Sequence, residues 1–217
     1  MNSAELVRVL LVDDHAVVRE GYRRLLERSA SIRVVGEAAD AQSAYLAFLE
    51  HNPQVTVMDI SLPGASGIEA LRRIRARDPE ARVLMFSMYE DPIFASRALQ
   101  GGARGYIAKA AAPEALVEAV LTVARGEPYL TGRIAHELAL RPDQADSAAG
   151  NLSPREFEVL RMLVAGRSIG EIADSLGLTA KTVANHQSIL RQKLGVGSAL
   201  QLLQAAARLG ITQDVRA

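Results

Sequence analysis

The chain of 217 residues contains no cysteine and no tryptophan, and aromatic residues make up only 4% of it. Without cysteine the protein can form neither a disulfide nor a thiolate metal site, which fits a reducing compartment. Its apolar runs fall short of the roughly 20 residues that cross a bilayer. The N-terminal residues do not have the pattern of a signal peptide. We therefore expect a cytoplasmic protein without a membrane partner.

The formal net charge is zero, so the total charge does not indicate a nucleic-acid partner. The charges are unevenly distributed, however, because residues 151–217 contain eight basic and only five acidic side chains. A weakly basic C-terminal part favours salt-sensitive binding to DNA by a dimer. Hydrophobic residues make up 49% of the chain, which is enough for a sizeable core.

Three aspartates each follow a short run of β-branched and apolar residues. Asp13 and Asp14 follow the run 7–12, and Asp59 follows the run 55–58. Such runs are typical of buried parallel strands, and ligands of open α/β sheets bind outside the carboxyl ends of the strands. If the two strands are neighbours, three carboxylates converge and repel one another unless a cation lies among them. An all-oxygen site of this kind suits Mg²⁺.

Two further side chains follow strand-like runs in the same way. Ser87 comes directly after the run 83–86, and Lys109 comes directly after the run 105–108. Taken alone, Ser87 could be a strand-end serine and Lys109 a surface lysine, just as the three aspartates could be solvated acids at loop starts. Together, a hydroxyl donor, an ammonium, a carboxylate nucleophile and Mg²⁺ suffice for phosphoryl transfer. The joint placement favours a phosphoryl site.

The chain divides into an α/β part and an all-α part. Strands and helices alternate up to about residue 126, which predicts a doubly wound parallel sheet of five βα units. The predicted strands are 7–12, 32–36, 55–58, 82–86 and 105–108, and the predicted helices are 15–29, 41–51, 66–77, 92–101 and 113–125. We expect domain 1–128, a linker at 129–150 with a short helix at 130–140, and domain 151–217. The stretch 141–150 has no apolar periodicity and indicates a flexible connection.

The C-terminal part has only helical patterns. Capping boxes pair Ser153 with Glu156, Ser168 with Glu171, and Ser198 with Gln201. They predict helices at 154–165, 169–176, 180–194 and 199–209. A tight turn containing Gly177 separates the second and third of these helices, which is typical of a helix-turn-helix.

The helix predicted at 180–194 has a face without acidic residues. On this face lie Lys181, Asn185, Ser188 and Gln192, and Ala184 and Arg191 lie beside it. Asparagine and glutamine can bind adenine edges, and lysine and arginine can reach guanine or phosphate. An ordinary solvated face usually mixes both signs of charge. The pattern therefore favours a DNA-recognition helix.

These motifs resemble those of two-component response regulators of the NarL/FixJ family, which have a LuxR-type output domain. In the first domain they are Val-Asp-Asp-His at 12–15, Val-Arg-Glu-Gly at 18–21, Met-Asp-Ile-Ser-Leu-Pro-Gly at 58–64 and Gly-Ala-Arg-Gly-Tyr-Ile-Ala-Lys at 102–109. In the second they are Leu-Ser-Pro-Arg-Glu-Phe-Glu-Val-Leu at 152–160, Glu-Ile-Ala at 171–173, Lys-Thr-Val-Ala-Asn-His at 181–186 and Lys-Leu-Gly-Val at 193–196. The resemblance covers nearly the whole chain.

The resemblance implies a receiver domain in which a sensor histidine kinase phosphorylates Asp59. Asp14, Asp59 and the backbone carbonyl of Ser61 would bind Mg²⁺ directly, and Asp13 would do so partly through water. Ser87 and Lys109 would bind the phosphoryl oxygens. Tyr106 would be the switch aromatic, which turns inward when the hydroxyl residue moves.

The resemblance also implies roles in the output domain. Residues Ala184, Asn185 and Ser188 would face the bases of double-stranded DNA, and Lys181, Thr182 and His186 would lie nearer its phosphates. Arg191 and Gln192 belong to the same predicted DNA-binding surface. The last helix, with Leu200, Leu203 and Ala207, is a candidate seam of a homodimer, although core packing explains those residues equally well.

Three alternatives stay open at this point. A haloacid-dehalogenase-like phosphatase also uses an aspartyl nucleophile, but its Asp-x-Asp pattern is absent because Asp13 and Asp14 are adjacent. A LuxR-type receptor for a small ligand would be expected to use several aromatics in its pocket. A regulator that binds DNA without phosphorylation would not need the acidic residues and Lys109. We expect a DNA-binding regulator and no enzyme.

Overall fold

The computed structural model describes residues 6–63, 65–88, 90, 92–140, 152–208 and 211. The chain forms two compact units, Met1–Pro142 and Asp143–Ala217. The segment 141–150, which we predicted to be a linker, lies outside the described residues. None of the described helices is both long and apolar enough to cross a membrane.

The first unit is a parallel sheet flanked by helices. In chain order its elements are β1 (Val7–Val12), α1 (Ala16–Glu27), β2 (Ile32–Ala38), α2 (Ala41–His51), β3 (Val55–Met58), α3 (Gly67–Arg77), β4 (Val83–Ser87), α4 (Pro92–Gln100), β5 (Gly105–Ala108), α5 (Pro113–Ala124), β6 (Tyr129–Leu130) and α6 (Gly132–Leu140). The strand order is β2-β1-β3-β4-β5-β6, and all pairs are parallel. The predicted doubly wound sheet is confirmed.

The topological switch point of the sheet, where the order of the strands reverses, lies between β1 and β3. These strands are hydrogen-bonded neighbours, and Val12 lies opposite Met58 at their carboxyl ends. A crevice forms at such a reversal because the helices that follow the two strands leave on opposite faces. Residues immediately after Val12 and Met58 therefore border this crevice.

The two faces of the sheet are covered by different helices. On one face Leu26 of α1 and Leu116 of α5 pack against Val57, Phe86 and other buried strand residues. Alternate strand residues point to the opposite face, where α2 contacts α3 and α3 contacts α4. Burial of β3, β4 and β5 on both faces explains why their sequences are continuous apolar runs.

The sixth strand was not predicted, and the short helix begins later than expected. Tyr129 and Leu130 pair with Gly105 and Tyr106, so the predicted helix 130–140 is wrong at its first residues. A Cβ atom on Gly105 would lie 2.8 Å from the carbonyl oxygen of Tyr129, so glycine permits the close approach of β6. Helix α6 then contacts α4.

The second unit contains four helices among its described residues: α7 (Pro154–Val164), α8 (Ile169–Leu176), α9 (Ala180–Leu194) and α10 (Ala199–Arg208). Ser153 and Ser168 form the predicted capping boxes. The third predicted capping box is only half formed. The Gln201 N–H donates to the Ser198 hydroxyl, but the Gln201 side chain accepts from the Gly197 N–H and not from that of Ser198. Helix α8 ends at Gly177, whose φ of 63° is left-handed, and Thr179 caps α9. The predicted helix-turn-helix is present.

Candidate functional site

Two of the predicted acids and the predicted lysine meet at the crevice between β1 and β3. The Nζ atom of Lys109 lies 2.5 Å from Oδ2 of Asp13 and 2.6 Å from Oδ2 of Asp59. The two carboxylate oxygens can therefore be no farther apart than the sum of these distances. All three side chains are buried, and Asp59 is only 4% exposed.

Asp14 lies on the more exposed side of this cluster. Its Oδ1 atom is 2.6 Å from Nδ1 of His15, and the same ring nitrogen is 3.5 Å from Oδ1 of Asp13. The ligand atoms of Asp13, Asp14 and His15 all lie within 4.8 Å of one another. The sequence analysis gave His15 no role, although its position directly after the two aspartates could have indicated one.

The buried charges of the cluster shift one another's titration. Burial raises the pKa of Asp59 above its ordinary 3.8, and the contacts with Lys109 and with the Ser61 N–H only partly offset this effect. Burial alone would lower the pKa of Lys109, but Asp59 and Asp13 outweigh it and raise that pKa above 10.5.

The other three predicted residues of this site are Ser61, Ser87 and Tyr106. The Ser61 N–H donates to Oδ1 of Asp59 at 3.1 Å. Ser87 is fully buried at the end of β4, and its carbonyl oxygen accepts from the Lys109 N–H at 2.7 Å. Tyr106 is fully buried in β5. Its role as a switch residue stays a prediction.

A close approach of α3 fixes the main chain at Asp59. The Gly67 N–H donates to the Ile60 carbonyl at 2.9 Å. A Cβ atom on Gly67 would lie far closer to the Asp59 carbonyl oxygen than van der Waals contact allows, so only glycine fits. Ser66 and Glu69 form the predicted capping box at this start of α3. The role of Gly67 is not visible in the sequence because the contact depends on how α3 packs.

The donor atoms of the cluster suit Mg²⁺. Asp13 and Asp59 converge closely enough to share one cationic group, as Lys109 demonstrates. Asp14 adds a third carboxylate next to Asp13. A set of hard oxygen ligands fits magnesium, and no thiolate competes because the chain has no cysteine.

The second unit presents one polar face of α9. Lys181, Ala184, Asn185, Ser188 and Gln192 are exposed, and Val183 and Leu190 on the other side are buried. Thr182, His186 and Arg191 are only partly exposed. The Thr182 hydroxyl lies 2.8 Å from that of Thr179. Five of the eight predicted DNA-binding residues thus form an open surface, and three lie at its margin.

An ion pair holds α9 against α7. Both carboxylate oxygens of Glu156 accept from Lys193 Nζ, at 3.0 and 2.8 Å, and Oε2 also accepts from the Ser153 N–H at 2.7 Å. Burial alone would raise the pKa of Glu156, but Lys193 and Ser153 hold it below its ordinary 4.5. From the sequence, Glu156 was predicted only as a capping residue.

Comparisons with known proteins agree with this division. Residues 9–121 match the model of the response regulator receiver domain, and residues 150–206 match that of bacterial regulatory proteins of the luxR family. The response regulator UvrY of Escherichia coli strain K12 is 34% identical over 95% of this chain and 96% of its own length. A LuxR-family response regulator from Aurantimonas is 46% identical over 64% of this chain and 99% of its own, with a TM-score of 0.62. A structure of two RcsB dimers bound to two parallel DNAs covers 94% of this chain and 98% of its own, at 27% identity and a TM-score of 0.59.

Proposed function

The chain belongs to the two-component response regulators that join a receiver domain to a LuxR-type DNA-binding domain, and we propose that phosphorylation of Asp59 controls its binding to DNA. The observation that carries this proposal is the meeting of Asp13, Asp59 and Lys109 at one edge of the sheet. We assign the receiver domain to 1–128, a linker with a short helix to 129–150 and the DNA-binding domain to 151–217. The division into compact units between Pro142 and Asp143 supports this assignment.

The proposed phosphoryl donor is a sensor histidine kinase. A carboxylate oxygen of Asp59 forms a bond to phosphorus while the nitrogen–phosphorus bond of the kinase's phosphohistidine breaks, and the electron pair of that bond returns to the imidazole. Lys109 exchanges its contact with Asp59 for one with a phosphoryl oxygen and stays paired with Asp13. The Ser87 hydroxyl donates to another phosphoryl oxygen. Positioning and charge neutralisation do most of the work in such a transfer.

Mg²⁺ is the proposed cofactor of this transfer. Asp14, Asp59 and the Ser61 carbonyl would hold the ion directly, and Asp13 would do so partly through water. When bound, the ion supplies positive charge beside the oxygens of the transferred group. The position of Lys109 supports this assignment, because its Nζ contacts the carboxylates of both Asp13 and Asp59. Carboxylates that are close enough to share this ammonium can also lie around one metal ion.

The proposed response passes through Ser87 and Tyr106 to the surface of α4. Ser87 lies opposite Ala108, and Tyr106 lies between Met85 of β4 and Leu130 of β6. A phosphoryl group that draws the Ser87 hydroxyl towards it changes the packing around Tyr106 and α4. Helix α6 contacts α4 and precedes the DNA-binding domain in the sequence. A change at α4 would therefore also reach α6.

The proposed output is binding of double-stranded DNA by a homodimer in the cytoplasm. The exposed, acid-free face of α9 supports the first part, with Asn185 and Ser188 towards the bases and Lys181 towards the phosphates. Leu200 and Leu203 of α10 are 65% and 41% exposed, which supports a dimer seam on that helix. RcsB dimers have been solved on DNA, and we extend that arrangement to this chain.

Two alternatives are less well supported. A phosphatase would have to turn over small phosphate esters, and the exposed recognition face of α9 would serve no purpose in it. A regulator independent of phosphorylation would use the two buried carboxylates and Lys109 only to hold the sheet edge together, and burial of such charges costs free energy. We therefore propose that the protein has no independent enzymatic turnover.

A mobility-shift assay with Asp59→Asn tests the proposal. Fragments of genomic DNA selected by the wild-type protein serve as probes, with and without acetyl phosphate and Mg²⁺. The donor should change the affinity of the wild type and leave that of Asp59→Asn unchanged. Asp78→Asn, at the end of α3, is the matched control and should respond like the wild type. An Asp59→Asn variant that still responds would refute the assignment.

A further inference from the structure

Arg19 belongs to the motif Val-Arg-Glu-Gly at 18–21, which has no role in the proposed function so far. Its guanidinium extends from α1 back over the turn that carries the acidic residues. Nη1 donates to the backbone carbonyl of Asp13 at 2.6 Å, and Nε lies 3.0 Å from Oε2 of Glu37. The arginine side chain is only 16% exposed.

Besides the bond of its N–H to the Ala38 carbonyl in the sheet, Asp13 accepts hydrogen bonds from Lys109, His15 and Arg19. Lys109 binds Oδ2 of its carboxylate, and the His15 N–H donates to Oδ1 at 2.8 Å. Arg19 alone of these three binds the backbone carbonyl. That carbonyl belongs to the peptide unit that joins Asp13 to Asp14, so the contact sets the direction in which the chain leaves β1.

Glu37 fixes the orientation of Arg19. It lies in β2, opposite Leu11 of β1, so its backbone is part of the same sheet. Its other carboxylate oxygen accepts from Nη1 of Arg23 at 2.9 Å. A carboxylate that is held at both oxygens leaves the guanidinium of Arg19 little freedom, and the planar fork of arginine can then serve Glu37 and Asp13 at once.

We infer that Arg19 and Glu37 are positioning residues that hold the peptide unit between Asp13 and Asp14 in the geometry required for Mg²⁺ binding. The inference rests on the proposed function, because it concerns the same acidic site. Groups that orient metal ligands without touching the metal commonly change metal affinity when they are mutated. Arg19 orients the main chain of the ligands, and Glu37 orients Arg19.

The charge of Arg19 and its contact with the Asp13 carbonyl have opposite effects on the affinity for Mg²⁺. A guanidinium close to a cation site repels the cation, so loss of the charge alone would tighten Mg²⁺ binding. Loss of the contact with the Asp13 carbonyl would instead loosen it. Arg19→Met removes both effects, whereas Arg19→Lys keeps the charge and cannot span Glu37 and the carbonyl with a planar fork. The sign of the change therefore separates the two explanations.

Isothermal titration of Mg²⁺ into the full-length protein tests the inference without any phosphoryl donor. We expect Arg19→Met and Arg19→Lys to bind Mg²⁺ about tenfold more weakly than the wild type. Glu37→Gln should weaken binding about threefold, because the carbonyl contact survives but loses its support. Arg23→Met is the matched control, because Arg23 contacts Glu37 and has no recorded bond to Asp13 among the described residues. It should stay within about twofold of the wild type, as expected for a partly exposed ion pair.

Circular dichroism at the titration temperature checks whether each variant is folded. Only folded variants enter the comparison of Mg²⁺ affinities. Should Arg19→Met fail to fold, Arg19→Lys and Glu37→Gln carry the test. Unchanged or tighter Mg²⁺ binding by the Arg19 variants, beside normal binding by the wild type, overturns the inference alone. Absence of Mg²⁺ binding by the wild type overturns the proposed cofactor together with it.

Discussion

The ammonium of Lys109 lies 2.6 Å from the carboxylate of Asp59 and joins the end of β5 to the end of β3. The same nitrogen contacts Asp13 at the end of β1. One lysine thus neutralises two buried carboxylates that would otherwise repel each other. The site that we propose for phosphorylation is therefore also a structural element of the sheet edge.

Replacement of Lys109 by methionine should destabilise the receiver domain. It leaves two buried carboxylates without a cation, and removal of one partner from a buried ion pair costs about 3–5 kcal/mol. Urea unfolding in EDTA measures the loss, and Mg²⁺ should restore part of it by supplying charge to the same carboxylates. The exposed Lys181→Met is the control and should leave stability nearly unchanged. Equal stability of the Lys109 and Lys181 variants would contradict the structural role.

Gly67→Ala should disturb the backbone of Asp59. The new methyl group would collide with the Asp59 carbonyl oxygen, and such overpacking costs about 1–3 kcal/mol. Gly21→Ala in the middle of α1 is the matched control, because a Cβ there meets no atom within 4 Å. The control should gain up to about 1 kcal/mol from helix propensity. Thermal unfolding compares the two, and similar shifts in both variants would disprove the close approach.

The ion pair of Glu156 with Lys193 should make the stability of the DNA-binding domain depend on pH. Because folding holds the pKa of Glu156 below 4.5, its contribution to stability is present above that value. The contribution is lost as the pH falls through the lower pKa of the folded state. Glu156→Gln should therefore cost about 1–3 kcal/mol at neutral pH, and the cost should shrink in acid.

Urea unfolding of the full chain at neutral and acidic pH measures this difference. Glu158→Gln is the control, because Glu158 pairs with Arg155 at a partly exposed position on the same helix. Its effect should be small at either pH. If the difference in the free energy of unfolding between the wild type and Glu156→Gln grew in acid, the assignment of a lowered pKa would be contradicted.

The sequence alone predicted most of the sheet edge. The runs before Asp13, Asp59, Ser87 and Lys109 are buried strands, and parallel strands bring their carboxyl ends to one edge whatever the loops between them do. This is why residues up to 96 positions apart, as Asp13 and Lys109 are, could be grouped without a structure.

The remaining features depend on packing that local patterns do not record. Strand β6 is only two residues long, too short for an alternation of apolar and polar residues to be visible. Gly67 is required by the approach of one helix to one carbonyl oxygen. The contact of Arg19 with Asp13 involves a backbone carbonyl. Every residue has such a carbonyl, so the residue type at position 13 does not predict this contact. Glu156 and Lys193 are 37 residues apart, and either could have been an ordinary surface charge.

Two substitutions on α9 should separate affinity for DNA from sequence preference. Lys181→Ala should weaken binding to all sequences and reduce its salt dependence, because a phosphate contact is lost. Asn185→Ala should relax the preference at one base pair, at a cost of about 1–3 kcal/mol. Gln204→Ala, exposed on α10, is the control and should change neither quantity. Titration of labelled DNA variants at several salt concentrations gives both quantities, and identical effects of the two α9 variants would contradict this division of roles.

The central claim is that Asp59 accepts the phosphoryl group. The full-length protein is incubated with acetyl phosphate and Mg²⁺, reduced with borohydride and mapped by peptide mass spectrometry, since reduction converts phosphoaspartate to homoserine. We predict homoserine at position 59 alone, and none in EDTA or in Asp59→Asn. Modification at Asp13 or Asp14 instead, or modification at position 59 that is equally strong in EDTA, would contradict the account.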